Sequence, residues 1–136
     1  QIGLEPFTQE IRHVLLETAR KYNKTHDGGC YGCIEGPRFS TKAESRIWRE
    51  VYGCDIIGMT LVPEINLARE LGMCYGMIAL VTDYDIWVPH QPVTAEAVER
   101  MMIEKLGIIK KVIAEAVPKI PAEITKCADV LKYACV

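Results

Sequence analysis

The sequence has no excess of basic residues. Sixteen Lys and Arg stand against 18 Asp and Glu, a formal net charge of −2. That balance excludes a nucleic-acid binder that works by neutralising phosphates. No run approaches the roughly 18 consecutive apolar residues of a membrane span. No basic start followed by an apolar stretch reads as a signal peptide. Low-complexity disorder is excluded by a hydrophobic content of 49%. There is no internal repeat and no linker. Initiator Met is also missing: Gln1-Ile2-Gly3-Leu4-Glu5-Pro6 reads like the middle of a domain. With 136 residues, the chain has room for one domain and a sizeable core.

Cysteine is neither abundant nor absent. The six, Cys30, Cys33, Cys54, Cys74, Cys127 and Cys135, fall short of the ~8–10% of a disulfide scaffold. Cys30-Tyr31-Gly32-Cys33 is a C-x-x-C. A zinc site needs a second close pair or a nearby His, but Cys127 and Cys135 are too far apart and His13, His26 and His90 are scattered. No metal site is therefore expected. The C-x-x-C also fits redox chemistry, and all six fit buried or disulfide-bonded roles. Six cysteines with charge-rich helices suit a hyperthermophilic cytosol, where disulfides are tolerated. Spacing does not fix their connectivity.

Apolar periodicity predicts a helix over Thr8–Asn23, with Thr8 as side-chain cap. Short strands follow at Cys30–Ile34 and Cys54–Gly58. Between them a helix opens on a Thr41/Glu44 capping box and runs to about Tyr52. Val62-Pro63-Glu64 opens a third helix, ended by Gly72. Met73–Thr82 is a continuous apolar run, expected to be a strand covered on both faces. Asp83–Val93 is a loop. Thr94 caps a long helix to about Val117, and Pro121–Cys135 reads as a last helix. The α-β-α-β-α-β-α order predicts an α/β fold with a parallel or mixed central sheet flanked by helices.

In such sheets ligands sit at the carboxyl ends of strands. Three polar clusters fall there: Glu35–Ser40, Gly58–Glu64 and Thr82–Asp85. Asp83 and Asp85 leave an apolar strand together. A partly buried carboxylate of this kind can act as a general acid; the pair equally fits a solvated turn. Phe39 and Ser40 suit a flat heterocycle, one stacking and one bonding its edge, or a core aromatic and a helix cap. Met59-Thr60 before a helix start suits an anion, or ordinary packing and capping. Glu44 is explained by its capping box and Glu64 by the helix dipole. Trp48 and Trp87 read as packing residues. His90 either lines a site or caps a turn.

The stretch Ile34-Glu35-Gly36-Pro37-Arg38-Phe39-Ser40-Thr41-Lys42-Ala43-Glu44-Ser45 resembles a signature of trimeric-type purine nucleoside phosphorylases. Asp55-Ile56-Ile57-Gly58-Met59-Thr60-Leu61-Val62-Pro63-Glu64 and Ala79-Leu80-Val81-Thr82-Asp83-Tyr84-Asp85 continue it, in order and with family-like spacing. The nearest branch acts on 5'-methylthioadenosine. The likeness runs from Glu5-Pro6-Phe7 to the end of the long helix and is weakest after Pro121.

The resemblance implies a phosphorylase/hydrolase-like mixed sheet flanked by helices. Residues 1–136 would be the C-terminal half of one such domain, partnered by the N-terminal half of the same subunit. It implies phosphorolysis of a purine nucleoside in a cytoplasmic homotrimer or hexamer, with inorganic phosphate as co-substrate and no other cofactor, no nucleic acid and no membrane. By similarity, Asp83 is the leaving-group partner at the five-membered ring of the purine. Asp85 accepts from the exocyclic amine and Thr82 lines the base pocket. Phe39 packs on the base, Met59 lies under the ribose and Thr60 touches phosphate. Ser40 stands where 6-oxopurine enzymes have Glu, and Asp83 where they have Asn; both changes favour adenine. Ala95, Val98 and Met102 share one helix face and form either a methylthio pocket or a plain core stripe. Gly58 departs from the Asn of the human-like pattern, so that a ribose or base contact is lost or supplied by water. Rival readings are a broader nucleoside phosphorylase, a hydrolytic nucleosidase, and a non-catalytic fragment. The isolated chain is expected to be inactive.

Overall fold

The computed structural model describes residues 5–87, 93–124 and 126–133. Helix α1 is Gln9–Arg20, strand β1 Tyr31–Cys33 and helix α2 Lys42–Arg46, which runs on as a π-helical turn over Ile47–Val51. Strand β2 is Ile56–Gly58, helix α3 Glu64–Glu70 and helix α4 Ala95–Ala116. A short α5, Lys126–Asp129, follows. The strands pair in parallel, Tyr31 opposite Ile56 and Cys33 opposite Gly58, and Ile34 N–H extends the ladder to Gly58 O at 2.9 Å. The α/β class stands as expected.

Two compact units divide the chain. One comprises residues 1–25, 61–78 and 108–136; the other comprises 26–60 and 79–107. The first is a helical packing unit. Leu16 and Ala19 of α1, Ile65 and Ala68 of α3, and Val112 and Ala116 of α4 are among its buried apolar side chains. Each large one removed from water contributes roughly 1.5–3 kcal/mol. A disulfide joins Cys74 to Cys127, with Cα atoms 5.2 Å apart, so part of the cysteine complement is structural, as composition allowed.

Thr8 sits at the start of α1, but its hydroxyl makes no cap bond. It accepts instead from Tyr75 N–H at 3.0 Å, while Thr8 N–H donates to Tyr75 O at 2.7 Å. Burial of Thr8 explains the correction: at 7% exposure its polar atoms must find fixed partners, and the Tyr75 backbone offers both kinds.

On the same unit, Glu115 gathers three donors, Lys119, Lys21 and Tyr22. They hold its carboxyl at about 2, below its ordinary 4.5, with Lys119 the largest cause. A depressed carboxylate stabilises the fold fully above its unfolded value and loses that effect as pH falls through the folded value. The expected result is a stability that drops between pH 4.5 and about 2, and drops less steeply in Glu115→Gln. Acid titration of the melting temperature checks it; equal slopes contradict it. Exposure of the cluster makes the effect small and weaker in salt.

Met73–Thr82 departs from expectation. None of its residues lies in a strand, and none is fully buried; Met73 is 54% and Val81 55% exposed. Among the described residues only β1 and β2 form a ladder. A buried parallel strand needs a ladder of hydrogen-bonded neighbours and cover on both faces; among the described residues this run joins no ladder, and none of its residues is fully covered. The final segment is also less helical than its pattern: Pro121–Ile124 has no helix, and α5 passes into a 3-10 turn over Val130–Tyr133. Cys135 lies outside the described residues.

Elsewhere the boundaries agree. Thr41 and Glu44 form the capping box. Thr94 Oγ1 accepts from Ala97 N–H at 3.2 Å at the start of α4, which ends at Ala116, and Pro118 sits in the 3-10 turn beyond. Trp48 packs at 5.3 Å from the Tyr52 ring, and Arg49 stacks 4.3 Å over Trp87.

Candidate functional site

All the candidate site residues fall in the second unit. The loop after β1 carries Phe39 and Ser40. Its shape is set by Arg38, whose guanidinium forms two 2.7 Å bonds to the Glu44 carboxylate. Glu44 also accepts from Thr41 N–H at 2.7 Å and Thr41 Oγ1 at 2.9 Å. Arg38, with Thr41 behind it, therefore holds the Glu44 carboxyl far below the usual carboxylate range. A fork–carboxylate pair of this kind adds geometric definition, here one residue from Phe39. Sequence reasoning assigned Glu44 to the cap, correctly, but gave Arg38 no role. Six-residue spacing outside a helix carries no pairing signal, so the clamp was not legible.

The loop after β2 carries Met59 and Thr60. Met59 Sδ lies 3.0 Å from where a Cβ on Gly36 would stand, so the loops after β1 and β2 touch. Gly36 also has φ +71, a conformation that Cβ penalises. Ser40 and Met59 are half-buried and Thr60 is exposed.

Gly58 has a structural reason. A Cβ there would stand 1.9 Å from Tyr31 Oη, because Tyr31 leans along β1 over its partner strand. The space an Asn side chain would fill is taken by the tyrosine ring. Gly58→Ala is expected to displace that ring and lower stability by about 1–3 kcal/mol, the usual cost of overpacking. Chemical denaturation checks it, and an unchanged midpoint contradicts it.

The third cluster is a self-contained carboxylate unit. Asp83 Oδ2 accepts from Thr82 Oγ1 at 2.7 Å, and Oδ1 accepts from Asp85 N–H at 2.8 Å. Both oxygens are thus oriented. Asp85 has φ +53, the left-handed region that costs a non-glycine residue of order 1 kcal/mol or more. Its Oδ2 is buried and has no hydrogen-bond partner. An unsatisfied buried acceptor costs about 1–3 kcal/mol. Strain and an orphaned acceptor on one residue mark a place built for an incoming donor. The reading of Asp83 and Asp85 as an ordinary solvated turn does not account for them.

Phe39, Ala95 and Val98 come together. With Glu99, Met102, Ile103 and Leu106 they line an open groove of about 440 Å³. Phe39 is 46% exposed and Met102 52%, so the stripe on the first half of α4 is not a closed core. Sequence periodicity found three of these positions; Ile103 and Leu106 share the helix face but were not singled out. Neither Asp83, Asp85 nor Thr60 is among the residues that line the groove. His90 lies outside the described residues. Among the described residues, no group of three or more His, Cys, Asp or Glu could hold a metal ion.

Parallel strands that end in touching polar loops define an α/β protein in which a small-molecule site of the strand-end type is expected. Comparison with known proteins makes this specific. The chain belongs to the phosphorylase superfamily, whose family model matches residues 2–117. That span ends before the tail expected to match least. A curated S-methyl-5'-thioadenosine phosphorylase of Pyrobaculum aerophilum is 88% identical over 136 residues, all of this chain and 49% of that protein. The Hyperthermus butylicus protein of the same name is 54% identical over 123 residues, 90% of this chain and 44% of its own length. Among solved structures, methylthioadenosine phosphorylase from Schistosoma mansoni in complex with adenine is 36% identical, with a TM-score of 0.79 over 96% of this chain and 52% of that one. The chain spans about half the length of the curated relatives it matches.

Proposed function

We propose that the complete protein of which this chain is part performs phosphorolysis of 5'-methylthioadenosine, releasing adenine and 5-methylthioribose 1-phosphate. The observation that carries this reading is the buried, unpartnered Oδ2 of Asp85 beside the oriented Asp83 carboxyl. Adenine offers an exocyclic amine as the donor Asp85 lacks. Its five-membered ring offers a nitrogen to which a protonated Asp83 donates as the glycosidic bond breaks. Ser40 bonds the base edge, Met59 lies under the ribose, and Thr60 contributes a hydroxyl to phosphate. Phe39 packs on the base, and Ala95 and Val98 take the apolar end of the substrate, where the groove favours a methylthio group over a hydroxyl. Phosphate is the co-substrate and no other cofactor is required.

Residues 1–136 act in this reading as the C-terminal half of a single domain. Two observations support it: the relatives are about twice as long, and the apolar run Met73–Thr82 joins no strand ladder among the described residues. The N-terminal half would cover that run and supply the phosphate-binding side. Assembly as a trimer or hexamer and a cytoplasmic location complete the proposal; among the described residues no helix is long and apolar enough to cross a membrane.

Comparing 5'-methylthioadenosine with inosine in the complete protein tests the base assignment. Adenine-nucleoside preference of at least ~10²-fold in kcat/KM is expected, since a 6-oxopurine leaves buried groups unpaired. Equal turnover of inosine would remove the adenine argument.

A further inference from the structure

Cys30 and Cys54 take no part in the proposed reaction. Each stands just before a strand, Cys30 before β1 and Cys54 two residues before β2. Their Sγ atoms are 3.9 Å apart. The backbone around them is clamped. Cys30 O accepts from Asp55 N–H at 2.8 Å and from Ile56 N–H at 3.2 Å. Cys30 N–H donates to Asp55 Oδ2 at 2.7 Å.

Gly32 makes room for the second sulfur. A Cβ on Gly32 would meet Cys54 Sγ at 3.0 Å and Trp48 Cε3 at 3.4 Å. Strand alternation puts Cys30 and Gly32 on one face of β1 and Tyr31 and Cys33 on the other. Cys54 therefore faces Cys30, and the C-x-x-C spacing of Cys30 and Cys33 does not describe the pair that meets. Cys30 is exposed, and Cys33 and Cys54 are partly buried.

We propose that Cys30 and Cys54 are a second disulfide site, a solvent-reachable staple across the amino-terminal ends of β1 and β2. Closing the bond brings the sulfurs from 3.9 Å to about 2.05 Å, between strand ends that the Asp55 and Ile56 N–H bonds to Cys30 O already hold together. Burial and the neighbouring Cys30 push the Cys54 thiol up, so the exposed Cys30 is the attacking thiolate. It attacks a low-molecular-weight disulfide and displaces one thiol, forming a mixed disulfide. Cys54 then loses its proton and displaces the second thiol. Two protein thiols and one external disulfide become one protein disulfide and two external thiols; the protons end on the released thiols. The staple lies at the end of the strands opposite the loops that carry Phe39 and Met59.

Non-reducing peptide mapping of the purified protein, equilibrated with oxidised glutathione, tests the site. A cross-link between the peptides 25–38 and 50–69 is expected. It persists in Cys33→Ser and is lost in Cys30→Ser. The oxidised wild type is expected to melt about 10 °C above Cys54→Ala, from loop closure alone, with the difference abolished when both are fully reduced. A link that survives Cys30→Ser, or Cys30 held as the glutathione adduct with Cys54 free, overturns the proposal. The mapping reads the wild type directly, so a poorly folding variant does not blunt it.

Discussion

Asp83→Ala in the complete protein is expected to lower kcat/KM by ~10²–10⁴-fold, the range for loss of a positioned general acid. The geometry behind this is specific. Thr82 Oγ1 and Asp85 N–H bond the two Asp83 oxygens, so the group is fixed before substrate arrives. Pre-orientation matters because a misplaced donor forfeits much of its rate advantage. Ala removes the carboxyl proposed as the proton donor and also releases the Asp85 backbone N–H. The fall should therefore appear in kcat as well as KM, with the melting temperature little changed. Steady-state kinetics with 5'-methylthioadenosine and saturating phosphate measure it. Near-wild-type turnover would remove Asp83 as the leaving-group partner.

The second large effect is on stability. The Cys74–Cys127 disulfide closes a loop of 53 residues. On the chain-entropy view such a cross-link is worth about 4 kcal/mol. For a chain of 136 residues that corresponds to a melting temperature lower by roughly 10–15 °C in the double replacement Cys74→Ala, Cys127→Ala. The bond ties the segment after α3 to α5, and Cys127 is itself only 5% exposed. Calorimetry without reductant reads the shift. An unchanged melting temperature would show that the cross-link constrains nothing.

Legibility in the sequence followed how local each signal was. The capping box at Thr41 and Glu44, the Thr94 cap and the Gly72 stop depend on residues within a turn of each other, and all stand. β1 and β2 were recognisable because short apolar runs lay between clear breaks. Met73–Thr82 was not, because a strand is a relation to neighbours rather than a property of ten residues. Its composition predicts burial on both faces, but among the described residues it joins no ladder. Thr8 was assigned by its position, but burial redirected its hydroxyl to Tyr75.

The same rule holds at the candidate site. Asp83 and Asp85 were visible by type and spacing. What separates them from an ordinary turn, the positive φ and the orphaned oxygen of Asp85, exists only in three dimensions. Gly58 appeared as a departure from a pattern, and its cause is the Tyr31 ring on the neighbouring strand. The C-x-x-C drew attention to Cys33, whereas strand alternation turns Cys30 toward Cys54.

The most direct measurement is product formation from 5'-methylthioadenosine by the complete protein, with and without inorganic phosphate. Adenine and 5-methylthioribose 1-phosphate are expected in phosphate, with little adenine in its absence. Full adenine release in phosphate-free buffer, with free 5-methylthioribose as the sugar product, would contradict phosphorolysis and make the protein a hydrolase.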